Sequence, residues 1–141
     1  MDARGQARPA HVILAEDDPE LRRLLREALE AHGYEVTEVP DGGRFLVCVA
    51  RELKGPRHET PYDLILSDVR MPVCTGLQIV EALRQAHWYL PVILMTAFAD
   101  DSTRAGATRA GAVLVDKPFD VDELMAAVTD ILSGERGRVG P

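Results

Sequence analysis

DLILSDVRMP, residues 63–72, decides how the rest of the chain is read. It opens with a short, strongly apolar run fit for a protein interior. An aspartate, Asp68, follows, and a proline comes soon after. An aspartate before a loop is ordinarily a turn or cap residue. A carboxylate at the end of a buried strand therefore needs a reason, and the remaining sequence supplies one.

Three further runs are almost wholly apolar: HVILA (11–15), PVILM (91–95) and AVLV (112–115). Together with DLILS (63–67) they fit strands covered on both faces, which implies a parallel sheet. YEVTEV (34–39) is more polar and alternates, so it is placed as a fifth strand at the sheet edge. Helical patterns lie between the strands. Leu21, Leu24, Leu25, Ala28 and Leu29 share one face, with Pro19 near the start and Gly33 past the end. Phe45, Leu46, Val49 and Leu53 form a second stripe, and Leu77, Val80 and Leu83 a third. Val121, Leu124, Met125, Val128 and Ile131 form the last, with acids in its first turn to suit the helix dipole. The segment ADDSTRAGATRAG is a poor helix on intrinsic grounds, and only Ala105, Ala107 and Ala110 offer it a buried side.

This repeated β-α pattern predicts a doubly wound, five-stranded parallel α/β sheet. Right-handed crossovers divide its helices between the two faces. Such sheets bind ligands beyond the carboxyl ends of their strands. Residues 1–10 read as an N-terminal tail and 11–132 as the domain. Residues 133–141 read as a C-terminal tail or the start of a linker. KGPRHETP (54–61), polar and with two prolines, reads as a mobile loop.

The bulk properties agree. The chain has 141 residues, 46% hydrophobic and 28% charged, as expected for one ordinary globular domain. No apolar stretch approaches the roughly 20 residues that cross a membrane. MDARGQARPA lacks the apolar core of a secretion signal. Cys48 and Cys74 form no CxxC and read as free thiols in a reducing cytoplasm. A net charge of −7 argues against nucleic acid binding by this domain.

The predicted strand ends gather the chemistry. Glu16, Asp17 and Asp18 follow the first run, Asp68 the third strand, Thr96 the fourth, and Asp116 with Lys117 the fifth. Singly, each has an ordinary reading as a cap, a turn residue or a solvated lysine. Jointly they place carboxylates, a hydroxyl and an ammonium along one crevice. Crowded carboxylates repel, and a cation relieves this. Oxygen ligands without a His/Cys cluster suit Mg²⁺ (or Mn²⁺) rather than zinc. A carboxylate can itself attack phosphorus and form an acyl phosphate. Such transfer needs mostly positioning and charge neutralisation, which the cation, Lys117 and Thr96 can provide. His11, His32, His58 and His87 share no metal spacing, and no dinucleotide fingerprint is present.

In order, "ILAEDD", "LILSDVRMP..TGL", "ILMTA" and "DKPF" resemble the receiver domain of bacterial two-component response regulators, over about residues 11–132. "SDVRMP" and "MTAFAD" are closest in wording to the nitrogen-regulation type. The resemblance implies a flavodoxin-like sheet of order 2-1-3-4-5. It implies that Asp68 accepts phosphate from a sensor histidine kinase or histidine phosphotransfer protein. Asp17 and Asp18 would hold Mg²⁺ with Asp68, Asp18 the more direct ligand, and the backbone carbonyl of Arg70 would be a further ligand. Thr96 and Lys117 would contact the phosphoryl group, and the Lys117–Pro118 bond would be cis. The phosphorylated face would control an output domain or downstream protein, or favour a homodimer. The domain would be a switch and not an enzyme beyond its own phosphorylation and dephosphorylation.

The sequence departs from the family pattern at three places. Leu114 stands where an aromatic switch residue is usual. KGPRHETP reads as an insertion. Arg70 and Phe98 occupy the positions that tune dephosphorylation in the family. Two other readings remain open at this point: an aspartate-based phosphatase, against which Arg70 counts because a second acid belongs there, and a receiver that never takes phosphate.

Overall fold

The computed structural model describes residues 8–53 and 61–136. Strands and helices alternate: β1 His11–Ala15, α1 Pro19–Ala31, β2 Glu35–Val39, α2 Gly42–Leu53 and β3 Leu64–Asp68. Then come α3 Gly76–Gln85, β4 Val92–Thr96, α4 Asp101–Ala110, β5 Val113–Asp116 and α5 Val121–Arg136. The strands form one sheet, ordered β2-β1-β3-β4-β5, with every neighbouring pair parallel. The expected topology is therefore present.

Two apolar layers sandwich the sheet. Leu25 and Leu29 of α1 join Leu124, Met125 and Val128 of α5 over Val12, Leu14 and Leu66. On the other face Phe45 of α2, Ile79 and Leu83 of α3 and Ala107 of α4 cover Ile13, Ile65 and Leu94. Alternate strand residues feed opposite layers, so strands buried on both faces must be apolar throughout. β3 and β4 are buried along their whole length.

The fifth strand departs from expectation. AVLV was read as covered on both faces, but β5 begins at Val113, which is 46% exposed. It pairs only with β4, so it is an edge like β2, and its apolar run is half open. Leu24 and Leu46, assigned to buried stripes, are largely exposed, because each lies at the margin of its helix's apolar face. The side chain of Leu53 and the 54–60 portion of KGPRHETP lie outside the described residues. Ala10, read with the tail, is buried, and its carbonyl accepts the Glu35 amide at 2.9 Å.

Poor intrinsic propensity does not prevent α4. Its ends are fixed instead: Asp100 Oδ1 accepts the Thr103 amide at 2.7 Å, and Gly111 closes the helix at φ 70°. Ala107 and Ala110 are buried as expected, but Ala105 is exposed and Gly106 takes its place. A Cβ on Gly106 would stand 2.7 Å from Leu77 Cδ2 of α3, so the tip of Leu77 packs directly over the glycine.

Candidate functional site

The carboxyl ends of β1, β3 and β4 converge on a small polar site. Asp68 closes β3 and is nearly buried, while Thr96 closes β4. In the parallel register Ala15 lies beside Ser67, so the next residue of the first chain segment, Glu16, comes beside Asp68. Glu16 is fully buried. Lys117 follows β5, and its amide donates to the Thr96 carbonyl at 2.8 Å, which ties the last strand end to the site. The Lys117–Pro118 peptide bond is cis.

Lys117 is the hub of the charges. Its Nζ donates to Asp68 Oδ2 at 2.9 Å and to Glu16 Oε1 at 3.0 Å. Burial pulls the ammonium pKa down, but the hydrogen bonds to Asp68 and Glu16 outweigh it and hold the pKa above its ordinary value. The second oxygen of Asp68, Oδ1, accepts the Arg70 amide at 3.2 Å. Both Asp68 oxygens are thereby oriented.

Glu16 is the strained member electrostatically. Burial, opposed by hydrogen bonding from the Asp18 amide and Lys117 and reinforced by the Asp68 charge, raises its pKa from 4.5 to about 7. Oxygen atoms of Glu16, Asp17 and Asp68 lie within 4.8 Å of one another, close enough to share a cation. These donors are hard oxygens, the chemistry that suits Mg²⁺.

Asp18 requires a correction. It was read as the more direct metal ligand, but its Oδ1 accepts the amides of Glu20 at 3.0 Å and Leu21 at 3.4 Å. It is the N-cap of α1, and the cluster around Asp68 contains Glu16 and Asp17 instead. The helix starts immediately after Asp18, so its first free amides claim that carboxylate. Counting the parallel register forward from Ala15 would have singled out Glu16.

The remaining expected residues frame the opening. The Phe98 amide donates to Thr96 Oγ1 at 3.1 Å, which leaves the hydroxyl proton of Thr96 available. Phe98 is 66% exposed, and the Arg70 guanidinium lies 5.3 Å from its ring centroid. Arg70 and Phe98 thus meet across the mouth of the site. Leu114 pairs with Leu94 and packs, half-buried, against the layer under α3 and α4.

A feature the sequence reading missed lies beneath Asp68. Gly76 opens α3, and a Cβ there would stand 2.4 Å from the Asp68 carbonyl oxygen. The helix start can approach the end of β3 only because residue 76 has no side chain. Thr75 and Gln78 close a capping box at the same turn, with both reciprocal bonds at 3.0 Å.

Sheet order and the position of the carboxylates define a class: doubly wound, flavodoxin-like domains that carry their chemistry at the carboxyl edge. Within that class, the chain belongs to the response regulator receiver domain family, whose model matches residues 12–129. It is 37% identical over 123 residues to the DNA-binding transcriptional regulator NtrC of Salmonella typhimurium, covering 86% of this chain and 24% of that protein. It is 33% identical over 126 residues to the transcriptional regulatory protein GlrR of Escherichia coli, covering 89% of this chain and 27% of the relative. The chain therefore spans about a quarter of the length of these relatives. Among solved structures, the receiver domain of Francisella response regulator 1452 superposes with a TM-score of 0.77 at 25% identity, covering 89% of this chain and 98% of that one. The chemotaxis response regulator CheY4 of Vibrio cholerae does so with a TM-score of 0.71 at 28% identity, over 88% and 99%. The domain is a signalling module of two-component systems, with the nitrogen-regulation relatives that its motif wording suggested.

Proposed function

We propose that Asp68 is the phosphoacceptor of this receiver. It takes a phosphoryl group from the phosphohistidine of a sensor histidine kinase or histidine phosphotransfer protein. The observation that carries this reading is the Lys117 bridge, which holds Asp68 and Glu16 together at the strand ends. Asp68 attacks through one carboxylate oxygen. The new O–P bond forms as the N–P bond of the donor breaks, and the imidazole departs. Lys117 neutralises charge beside the transferred group, and Thr96 donates its free hydroxyl proton to a phosphoryl oxygen.

Glu16, Asp17 and Asp68, with the Arg70 backbone carbonyl, would hold Mg²⁺ (or Mn²⁺). Their carboxylate oxygens lie within 4.8 Å of one another and are hard donors, which fits such an ion. When bound, the cation screens the charge that separates phosphate from carboxylates. Asp18 supports the site by capping α1.

Phosphorylation draws Thr96 inward and shifts the segment 97–111. That alters the face formed by α4, β5 and α5, which in turn controls an output domain, a downstream protein or a homodimer. The small buried side chains of α4 make local opening of this helix cheap. Leu114 repacks there without needing a partner for a phenol. The work is done in the cytoplasm; among the described residues no helix is long and apolar enough to cross a membrane.

Intact-mass spectrometry with acetyl phosphate tests the reading. One lasting phosphoryl adduct is expected with Mg²⁺ and none with chelator. Continuous phosphate release would indicate a phosphatase, and no reaction would indicate a receiver that does not take phosphate.

A further inference from the structure

The amino edge of the sheet, opposite the acidic site, holds a cleft of about 530 Å³. Val92 opens β4 and Val113 opens β5, and both line it. Ile131 and Leu90 add apolar surface, while Arg84 and Arg109 stand at its polar side. Among the described lining residues there is no acid. The size is that of a small-molecule site, as is the lining of apolar surface with a few polar groups.

The charges of this cleft are not compensated. Arg84 is half-buried; its Nε donates to the Ala110 carbonyl at 2.7 Å and its Nη1 to the Trp88 carbonyl at 2.8 Å. These bonds fix the side chain and tie α3 to the end of α4, but neither partner is an anion. Burial consequently pulls the guanidinium pKa below its ordinary value. Among the described residues neither Arg84 nor Arg109 has a carboxylate partner. The last turns of α3 and α4 contribute roughly half a negative charge each. Two guanidinium groups exceed that, so the cleft stays positive in a chain whose net charge is −7. The ring of Tyr89, 57% exposed, lies 5.9 Å from the Arg84 guanidinium and offers an aromatic wall beside the charge.

We propose that this cleft binds a small organic anion with an apolar body, of the aryl carboxylate class. The carboxylate meets Arg109 and the uncommitted nitrogen of Arg84, and the ring lies between Tyr89 and the apolar floor of Val92 and Val113. A carboxylate suits the guanidinium fork of Arg109, which presents parallel donors, and Arg84 adds a single nitrogen. The cleft lies at the other end of the strands from Asp68, and its test uses the unphosphorylated chain.

The test is an amide NMR titration of the isotope-labelled chain with cinnamate and, separately, with its uncharged amide, cinnamamide. Cinnamate should shift the amides of 89, 90, 92, 108–113 and 131 in a saturable manner, with a dissociation constant of about 1 mM or tighter, as its size allows. Cinnamamide should bind roughly tenfold more weakly, for want of the charge-assisted bonds. Arg109→Gln, at an exposed position, should bring cinnamate down to the level of the amide. Val113→Asp, which sets an acid on the apolar floor under the ring, should abolish binding. Shifts elsewhere or none, equal affinity for the two ligands, or undiminished cinnamate binding by either variant would overturn the proposal.

Discussion

Replacing Glu16 by Gln isolates the electrostatic core of the site. The side chain keeps its size and one of its two acceptor oxygens, so it can still accept from Lys117 or from the Asp18 amide but not from both, and it no longer titrates. In the wild type the folded-state pKa of about 7 exceeds the ordinary 4.5. The folded protein therefore retains a proton through that window while the unfolded chain has released it. Stability from this group is fully present below pH 4.5 and is lost as pH rises to about 7. A displacement of this size corresponds to about 3 kcal/mol. The raised pKa of Lys117 acts above its ordinary 10.5 and leaves this window untouched. Urea unfolding followed by circular dichroism, in chelator at several pH values from 4.5 to 8, measures the loss. The wild type should show it and Glu16→Gln should lack it. Added Mg²⁺ should recover much of the wild-type loss and have a smaller effect on the variant. Equal pH slopes for the two proteins would refute the assignment of Glu16 as the group that carries the charge stress.

Further outcomes follow from single contacts. Gly76→Ala should destabilise by about 2 kcal/mol in urea melts, because a Cβ at 2.4 Å from the Asp68 carbonyl forces backbone to move; it should also lower the yield of phosphorylation. Val73→Gly should stabilise by roughly 0.5–1 kcal/mol in the same assay, since valine at φ 78° is strained and its 81% exposed side chain loses little burial. If the Arg70–Phe98 contact shields the aspartyl phosphate from water, the Arg70→Asn, Phe98→Glu double variant should shorten the adduct lifetime, measured by timed mass spectrometry. An unchanged or longer lifetime would mean that the stack does not shield.

Much of the fold was legible because strands buried on both faces have to be apolar along their length. HVILA, DLILS and PVILM became β1, β3 and β4, and the alternating YEVTEV became an edge. AVLV carries the same signal yet lies at the other edge, since an apolar run does not reveal how many neighbours will cover it. That Asp68, Thr96 and Lys117 would meet was legible because each follows a strand's carboxyl end on one edge of a parallel sheet. The acidic triplet was harder. Three adjacent carboxylates look alike in sequence, and only the register with β3 and the start of α1 separate buried Glu16 from the capping Asp18. Gly76 and Gly106 were not read for their roles because close approach to the Asp68 carbonyl and to Leu77 is a property of the assembled fold.

The central claim is that Asp68 takes the phosphoryl group. Reduction of the acetyl phosphate-treated chain with borohydride converts an aspartyl phosphate to homoserine, which peptide mass spectrometry then locates. Conversion is expected at Asp68 alone, in the presence of Mg²⁺, and none in Asp68→Asn. Conversion at Asp17 or another acid of the wild type, or an undiminished phosphoryl adduct on Asp68→Asn, would contradict it.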